Sequence, residues 1–228
     1  MKKNVIIAID GYASTGKSTL AKRLAIHLNY TYMDTGYMFR VISFHALKSQ
    51  WISAQGKIDE HSLEKGLSQM QFSWIETAKN GKLLACNDRV YGEEIRTPEV
   101  ANLVSQVAAL ASVRQHLLEQ QRRLAKTVNV VMDGRDIGTI VFPQATCKFF
   151  LSAKPEIRAQ RRFDEMKAKG ITATYESILA NVIKRDNMDE NRAIAPLKKA
   201  KDAIAIDTSA MDAAAVFALA CHHLNGLL

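Results

Sequence analysis

One eight-residue string constrains this chain more than any other feature: residues 11–18 read G-Y-A-S-T-G-K-S. This is the G-x-x-x-x-G-K-S pattern, in which the glycines let the backbone turn so that its N–H groups face an anion. An apolar β-branched run at residues 5–9 precedes the string, and apolar residues at helical spacing follow it to residue 28. This order places the loop at a helix N-terminus, where positive potential favours phosphate. The chain is therefore predicted to bind a nucleoside triphosphate.

The side chains that end the loop suit a triphosphate and its metal ion. Lys17 can reach the β- and γ-phosphates, and the Ser18 hydroxyl can ligate Mg²⁺. Asp133 follows a second apolar strand, where phosphate-loop proteins carry an acid linked to Mg²⁺, although Asp-Gly also forms ordinary turns. Ser18 and Asp133 are the predicted metal ligands. The predicted ATP-binding residues are Gly11, Tyr12, Ala13, Ser14, Thr15, Gly16, Lys17, Ser18 and Thr19.

The net charge of +8 leaves two classes of partner open, nucleic acids and anionic small molecules. A nucleic-acid binder is expected to show a basic stripe with interleaved aromatic residues. Here the basic residues are dispersed, and several arginines lie beside aspartates, which is typical of a pocket. The three cysteines have no C-x-x-C spacing, so neither a disulfide framework nor a zinc site is indicated. We expect a cytoplasmic monomer whose partners are neither nucleic acids nor membranes.

Strand and helix patterns alternate along most of the chain, which favours a parallel sheet covered on both faces. Residues 57–97 break the alternation with short strand-like runs, and we interpret them as a small β insertion. The predicted strands there are 72–75 and 83–86, around a turn at 79–81, and a third at 89–91. Elsewhere, strands are predicted at 5–9, 31–33, 128–132, 148–151 and 203–206, and helices at 17–28, 37–49, 98–126, from Pro155 onward, 175–192 and 212–226.

Three sets of charged residues have spacings that suit a phosphate site. Residues 185, 189 and 192 lie at i, i+4 and i+7, so one helical face can carry them all, as could a solvated salt-bridge face. Residues 158, 161 and 162 share a face that could cover a transferring phosphoryl group, or be a solvated face. Arg40 follows Asp34-Thr35-Gly36 by about one helical turn, where it could bind an anion, or where Thr35 could simply cap the helix.

Several separated strings together resemble the bacterial cytidylate kinases, a branch of the nucleoside monophosphate kinase family. They occur in the family's order from residue 9 to residue 209, so the match covers nearly the whole chain. The most specific are D-G-R-D-I-G-T at 133–139 and R-D-x-x-D-x-x-R-x-x-A-P-L at 185–197. The others are I-D-G at 9–11 with the phosphate loop, D-T-G at 34–36 with Arg40, E-I-R-T-P-E-V at 94–100, S-Q-V-A at 105–108, V-R at 113–114, I-V-F-P at 140–143, D-A at 202–203 and D-T-S at 207–209.

The resemblance implies an α/β fold: a phosphate-loop NTPase core of three layers around a parallel sheet, a small β-rich insertion that binds the monophosphate, and a helical lid. It implies one domain over 1–228, with a core at 1–56 and 98–228, the insertion at about 57–97 and the lid at about 154–172. The implied reaction is phosphorylation of CMP and dCMP by ATP, with Mg²⁺ as cofactor.

By position in these strings, the resemblance also implies roles for individual residues. Ser105, Arg114 and Asp136 would contact the cytosine. Arg185 and Asp189 would meet the ribose, and Arg40, Arg135 and Arg192 would hold the CMP phosphate, with Thr35 included in the same substrate site. The implied catalytic set is Lys17, Arg135, Arg158, Arg161, Arg162 and Arg192, of which 158, 161 and 162 correspond to lid arginines.

Four residues depart from the pattern of the family. Tyr12 stands where proline is usual, and Ser14 where a glycine is usual. Tyr37 replaces an alanine, and Phe39 replaces a tyrosine. These departures bear on pocket shape and rate and leave the reaction class unchanged. Two other functions stay open: a related kinase for another monophosphate or a small hydroxyl acceptor, and an NTPase that binds nucleic acid.

Overall fold

The core of the protein is a five-stranded parallel sheet. The computed structural model describes residues 4–53, 57–78 and 81–227. The strands of the sheet are β1 (Ile6–Gly11), β2 (Thr31–Asp34), β5 (Val130–Gly134), β6 (Cys147–Ser152) and β7 (Ile204–Asp207). Their order across the sheet is β2-β5-β1-β6-β7. Because β1 is the middle strand, the loop that follows it lies at the centre of the sheet's carboxyl edge.

Helices cover both faces of this sheet, so the core has the three layers expected. Ile7 and Ile9 pack toward α1 (Lys17–Leu28) and α8 (Ala213–Leu224). Ala8 packs on the opposite face, where α2 (Thr35–Lys48), α4 (Pro98–Val107) and α5 (Ala111–Ala125) contribute apolar residues. Successive residues of a strand point to opposite faces, so a strand buried on both sides must be continuously apolar.

The predicted small β insertion is present as an antiparallel hairpin, and a helix that the sequence patterns did not predict precedes it. The insertion contains α3 (Glu60–Leu67) and the hairpin of β3 (Phe72–Thr77) and β4 (Gly81–Cys86). Asp59 caps α3 by accepting the N–H of Ser62 at 3.3 Å, and Leu63 and Leu67 are buried. Residues 79 and 80 of the predicted turn lie outside the described residues, as do 1–3, 54–56 and 228 of the predicted core.

The predicted third strand at 89–91 is wrong. Asn87 and Asp88 have φ values of 49° and 59°, so the chain turns there, and only an isolated bridge joins Arg89 to Cys86. The N–H of Tyr91 then donates to the hydroxyl of Tyr37 at 3.0 Å instead of to a neighbouring strand. The insertion is therefore attached to α2 through a side chain.

The helix predicted over 98–126 is two helices, α4 and α5, separated at residues 108–110. Farther along the chain, α6 (Pro155–Ala168) and α7 (Tyr175–Asn191) pack against each other over a small cluster of Ala159, Ile178 and Val182. We call these two helices the α6–α7 pair. The predicted lid range, 154–172, contains α6 and the turn after it but not α7.

Candidate active site

The glycine-rich loop closes tightly on the sheet. A Cβ on Gly11 would lie 2.0 Å from the carbonyl oxygen of Leu151, so only glycine fits at the end of β1. Gly16 has φ 90°, a left-handed conformation that starts α1 at Lys17. The first N–H groups of α1 therefore face the loop, as anion binding requires.

Lys17 is buried inside this loop. Its ammonium group donates to the carbonyl oxygen of Tyr12, and the hydroxyl of Thr15 donates to the same oxygen at 2.9 Å. Burial lowers the pKa of Lys17 well below its usual range, and the nearby guanidinium of Arg135 lowers it further. A phosphate that replaced the carbonyl oxygen would stabilise the charged amine.

The two predicted metal ligands lie in contact with each other. The Ser18 hydroxyl donates to Oδ2 of Asp133 at 2.7 Å, and the hydroxyl of Tyr32 donates to Oδ1 at 2.8 Å. Burial, followed by the nearby carboxylate of Asp34, raises the pKa of Asp133 to about 6. A hydroxyl and a buried carboxylate whose negative charge is only partly compensated provide the oxygen ligands that Mg²⁺ prefers.

A turn after β5 carries the link between this site and a cluster of arginines. Nε of Arg135 donates to Asp189 at 2.9 Å, and Arg114 forms an ion pair with Asp136. Asp10, at the end of β1, holds this turn by accepting the N–H groups of Ile137 and Gly138 at 2.8 and 2.7 Å. Burial raises the pKa of Asp10 to about 6.

A partly buried cationic cluster consists of Arg40 on α2, Arg135 on this turn, Arg185 on α7 and Arg192 just beyond α7. Arg192 lies 3.7 Å from both Asp136 and Asp189, and the charges of Arg185 and Arg40 interact with that of Arg135. Burial lowers the pKa of Arg40, Arg185 and Arg192, and neighbouring guanidinium groups lower it further. Nε of Arg185 and Nη2 of Arg192 are buried without a hydrogen-bond partner in the described part of the chain. Such donors suit an anion with several oxygens.

A cavity of about 280 Å³ opens beside the ion pair of Arg114 and Asp136. Apolar side chains, including Phe39, form much of its lining, and the Arg114 guanidinium lies 5.7 Å from the centre of the Phe39 ring. Ser105 is half-buried on α4, close in sequence to the break before α5. The geometry offers a largely apolar cavity, here called the base slot, whose lining includes one cation and one carboxylate.

Two positions differ from the sequence-based expectation. Asp34, not Thr35, caps α2 by accepting the N–H of Tyr37 at 3.0 Å. The hydroxyl of Thr35 instead donates to the carbonyl oxygen of Asp133 at 2.7 Å, which ties α2 to β5. Arg192 lies one residue beyond the end of α7, so it does not share the helical face of Arg185 as predicted.

The structure does not bring the three arginines of α6 together. Arg158 is 2% exposed and bonds the carboxylate of Asp186 at 2.5 and 3.0 Å. Arg161 donates to the hydroxyl of Thr208 at 3.0 Å. Arg162 donates to Asn181 at 3.1 Å and lies near the cationic cluster, where it lowers the pKa values of Arg40 and Arg185.

Sequence reasoning missed Tyr32, Asp10 and Asp186 as partners of site residues. Tyr32 reaches Asp133 because β2 pairs with β5, a pairing that no local pattern records. Asp10 was visible only as part of a matching string. The signal for Asp186 was its place next to Arg185 in the R-D-x-x-D string.

Comparison with known proteins places this site in a family. A family model described as cytidylate kinase matches residues 7–225. The chain belongs to the cytidylate kinase family. It is 44% identical to a cytidylate kinase of Flavobacterium psychrophilum over 226 residues, which is 99% of this chain and 100% of that relative. It is 45% identical to a cytidylate kinase of Parabacteroides distasonis over 210 residues, covering 92% and 91% of the two chains.

Membership of this family makes the chain a nucleoside monophosphate kinase, a transferase, and confirms the resemblance drawn from the separated strings. The phosphate-loop core with a parallel sheet agrees with the predicted fold class. Within residues 4–53, 57–78 and 81–227, no helix combines the length and apolar character needed to cross a membrane.

Proposed function

We propose that this chain phosphorylates CMP and dCMP with ATP, using the loop at residues 11–18 for the donor and the cationic cluster for the acceptor. Family membership supports the reaction. The observation that carries the assignment of residues is the course of the chain at the end of β5. Asp133, near the end of the strand, contacts Ser18 of the donor loop, and Arg135, two residues later, contacts Asp189 of α7.

On the donor side, the N–H groups at the start of α1 and the Lys17 ammonium group hold the phosphates. Lys17 exchanges the carbonyl oxygen of Tyr12 for phosphate oxygens, which restores a full charge on the amine. Ser18 and Asp133 would hold Mg²⁺, which would supply positive charge to neutralise the phosphates. Thr19 follows in the first turn of α1 and is exposed.

On the acceptor side, Arg40, Arg135 and Arg192 bind the phosphate of the monophosphate. The unpaired Nη2 of Arg192 gains an acceptor when that phosphate arrives, and the unpaired Nε of Arg185 gains one from the sugar of the same substrate. The attacking oxygen of a nucleoside monophosphate is already ionised at neutral pH, so the reaction requires positioning and charge neutralisation more than a general base.

The base slot beside Arg114 and Asp136 selects cytosine over other bases. The carboxylate can accept from an exocyclic amino group, and the guanidinium can donate to a carbonyl oxygen, which are the groups on the edge of cytosine. Ser105 contributes from α4, and Asp189 with Arg185 meets the sugar. A base without this pattern of donors and acceptors leaves buried polar groups unpaired.

We also infer that the partners of this protein are ATP, CMP and dCMP, and that it acts as a monomer in the cytoplasm. Three free cysteines, two of them buried, support a reducing compartment.

A panel of acceptors tests the function. Purified protein is mixed with ATP and Mg²⁺ and with CMP, dCMP, UMP, AMP or shikimate as a small hydroxyl acceptor, and ADP release is measured. We expect turnover with CMP and dCMP well above that with the others. Faster turnover with another acceptor would favour the related kinase, and ATP hydrolysis stimulated by RNA or DNA would favour the nucleic-acid-dependent NTPase.

A further inference from the structure

Tyr12 joins the donor loop to the α6–α7 pair. Its hydroxyl donates to Oε1 of Glu190 at 2.5 Å. The guanidinium of Arg158 lies 5.0 Å from the centre of its ring, and Phe150 of β6 packs edge-on at 6.0 Å. Its backbone carbonyl oxygen accepts a hydrogen bond from the ammonium group of Lys17. One residue of the loop thus contacts the catalytic lysine, the core sheet and both helices of the pair.

The partner of Tyr12 lies in the last turn of α7, next to residues of the acceptor site. Glu190 follows Asp189, which binds Arg135, and precedes Arg192 by two positions. Neighbouring residues of a helix point about 100° apart, so the end of α7 presents Glu190 to the donor loop and Asp189 to the acceptor cluster. The turn is held from both sides, by Tyr12 and by Arg135.

A second contact parallels the first. Nη1 of Arg158 lies 3.4 Å from the carbonyl oxygen of Ala13, the next residue of the loop, and both terminal nitrogens of Arg158 bond Asp186, one turn before Glu190 in α7. Since Arg158 is already fixed by Asp186 and by the carbonyl oxygen of Ala153, the Tyr12 hydroxyl is the contact that reaches the end of α7.

We propose that Tyr12 is a positioning residue that sets the spacing between the donor loop and the acceptor arginines by holding Glu190. The inference rests on the proposed function, because the spacing matters only if the two phosphates meet between these elements. Misplacement of reacting groups lowers the rate of the chemical step more than it lowers substrate affinity. The contact should therefore affect kcat more than the KM for ATP.

Three variants test the contact. Tyr12→Phe removes the hydroxyl and keeps the ring, Glu190→Ala removes the acceptor, and Glu190→Gln keeps an acceptor without charge. We expect Tyr12→Phe and Glu190→Ala each to lower kcat by about threefold to tenfold, the rate equivalent of one ordinary hydrogen bond. The KM for ATP should stay within about twofold, a margin well below the loss of that bond. Glu190→Gln should recover most of the rate.

Tyr175→Phe is the matched control, because that tyrosine lies in the same pair of helices. Within the part of the chain that the structure describes, its hydroxyl has one hydrogen bond, to the carbonyl oxygen of Glu156 at 3.4 Å. We expect this control to keep the wild-type kcat. The Tyr12→Phe, Glu190→Ala double variant should be no slower than the slower single variant, because both changes remove one contact. Multiplicative losses, or a Tyr12→Phe enzyme with wild-type kcat, would overturn the proposal.

Hydrogen exchange provides a measurement that does not need phosphoryl transfer. Without nucleotide, Tyr12→Phe and Glu190→Ala should speed amide exchange in residues 186–192 and leave the middle of α1 unchanged. Glu190 is exposed, so its variant keeps the fold even if the loop variant does not. Failure of the wild-type enzyme on CMP would overturn the proposed function, whereas unchanged exchange in both variants would overturn the role of Tyr12 alone.

Discussion

Lys17 lies in an environment that stabilises its charged form poorly in the absence of a bound anion. It is a buried cation with a carbonyl oxygen as its hydrogen-bond partner and a lowered pKa. We expect Lys17→Ala to lower kcat by about a hundredfold or more, as loss of one electrostatic contact to a transferring group does. ADP release with CMP measures the rate, and circular dichroism measures the fold.

Lys126→Ala, at the exposed end of α5, is the control for loss of one lysine and should keep the wild-type rate. A folded Lys17→Ala enzyme with near wild-type turnover would contradict the assignment of the donor loop.

Ser14 occupies a loop position where the family usually has glycine, and its backbone angle shows what that substitution costs. Its φ is 58°, in the left-handed region that glycine occupies at no steric cost. Ser14→Gly should raise the free energy of unfolding by roughly 0.5–1 kcal/mol, because relief of a left-handed serine exceeds the added entropy of the unfolded chain. Ser14→Val should lower the free energy of unfolding, since a β-branched residue fits that region worst.

Urea denaturation of the three proteins measures these changes. Equal losses for glycine and valine at position 14 would show that the serine side chain, and not its backbone angle, matters there.

At the scale of secondary-structure elements, the end of α7 carries the predicted sugar contact. Arg135 lowers the pKa of Asp189 below its usual range despite burial, so this carboxylate is ionised at neutral pH and able to accept from a hydroxyl. Asp189→Ala should lower kcat/KM for both substrates, because Arg135 loses its partner, and lower it more for CMP than for dCMP. The additional loss for CMP should be about 1.5–3 kcal/mol, as for a hydrogen bond to a charged group.

The ratio of kcat/KM for the two substrates is the measurement. An equal loss for CMP and dCMP would exclude contact between Asp189 and the 2′-hydroxyl.

The break between α4 and α5 is where sequence reasoning failed for a physical reason. No glycine or proline lies at residues 108–110, and apolar spacing continues through them. Arg114 of α5 donates to the carbonyl oxygen of Ala108 at 3.0 Å, and its other terminal nitrogen binds Asp136. The guanidinium that stabilises the break is therefore held by a carboxylate that is distant in the sequence. By contrast, α1 was predicted with its observed bounds, because the loop before it and the apolar spacing within it are both local.

Arg114 therefore connects helix geometry to the base slot. Arg114→Met should leave ATP affinity nearly unchanged, sharply lower CMP turnover and move the ratio of CMP to UMP rates toward one. Arg123→Met is a matched control on the same helix, since that guanidinium bonds the carbonyl oxygen of Phe72 in the insertion. Wild-type CMP kinetics with weakened ATP binding would contradict the proposed slot and favour the related kinase.

For the whole molecule, the sequence predicted the layers but not the order of the strands. Alternating strand and helix patterns suffice to predict a parallel sheet, and the G-x-x-x-x-G-K-S motif suffices to locate the phosphate-binding loop. The neighbours of β5 are β2 and β1. These pairings bring Tyr32 and Ser18 to the end of β5, and Asp10 to the turn that follows it. Pairings between distant strands depend on the packing of the whole chain, so the complete set of site partners appeared only in the structure.

The net charge of +8 is explained in part by the cationic cluster of Arg40, Arg135, Arg185 and Arg192, which bears on the stability of the whole molecule. Like charges that lower each other's pKa destabilise the folded state until an anion arrives. We expect CMP at a hundred times its Kd to raise Tm by about 5–10 °C. Cytidine, which lacks the phosphate, should raise Tm much less, and sulfate should raise it more than chloride at equal ionic strength.

Arg185→Met tests the cause of this stabilisation. Its buried Nε has no hydrogen-bond partner in the described residues, so its removal should raise the Tm of the protein without nucleotide and reduce the shift that CMP produces. Lys184→Met, at the neighbouring exposed position, removes one charge outside the cluster and should change neither value. Differential scanning calorimetry measures all three proteins. A cytidine shift equal to that of CMP would mean that the acceptor phosphate binds elsewhere, and the charge of this chain would then require a different partner.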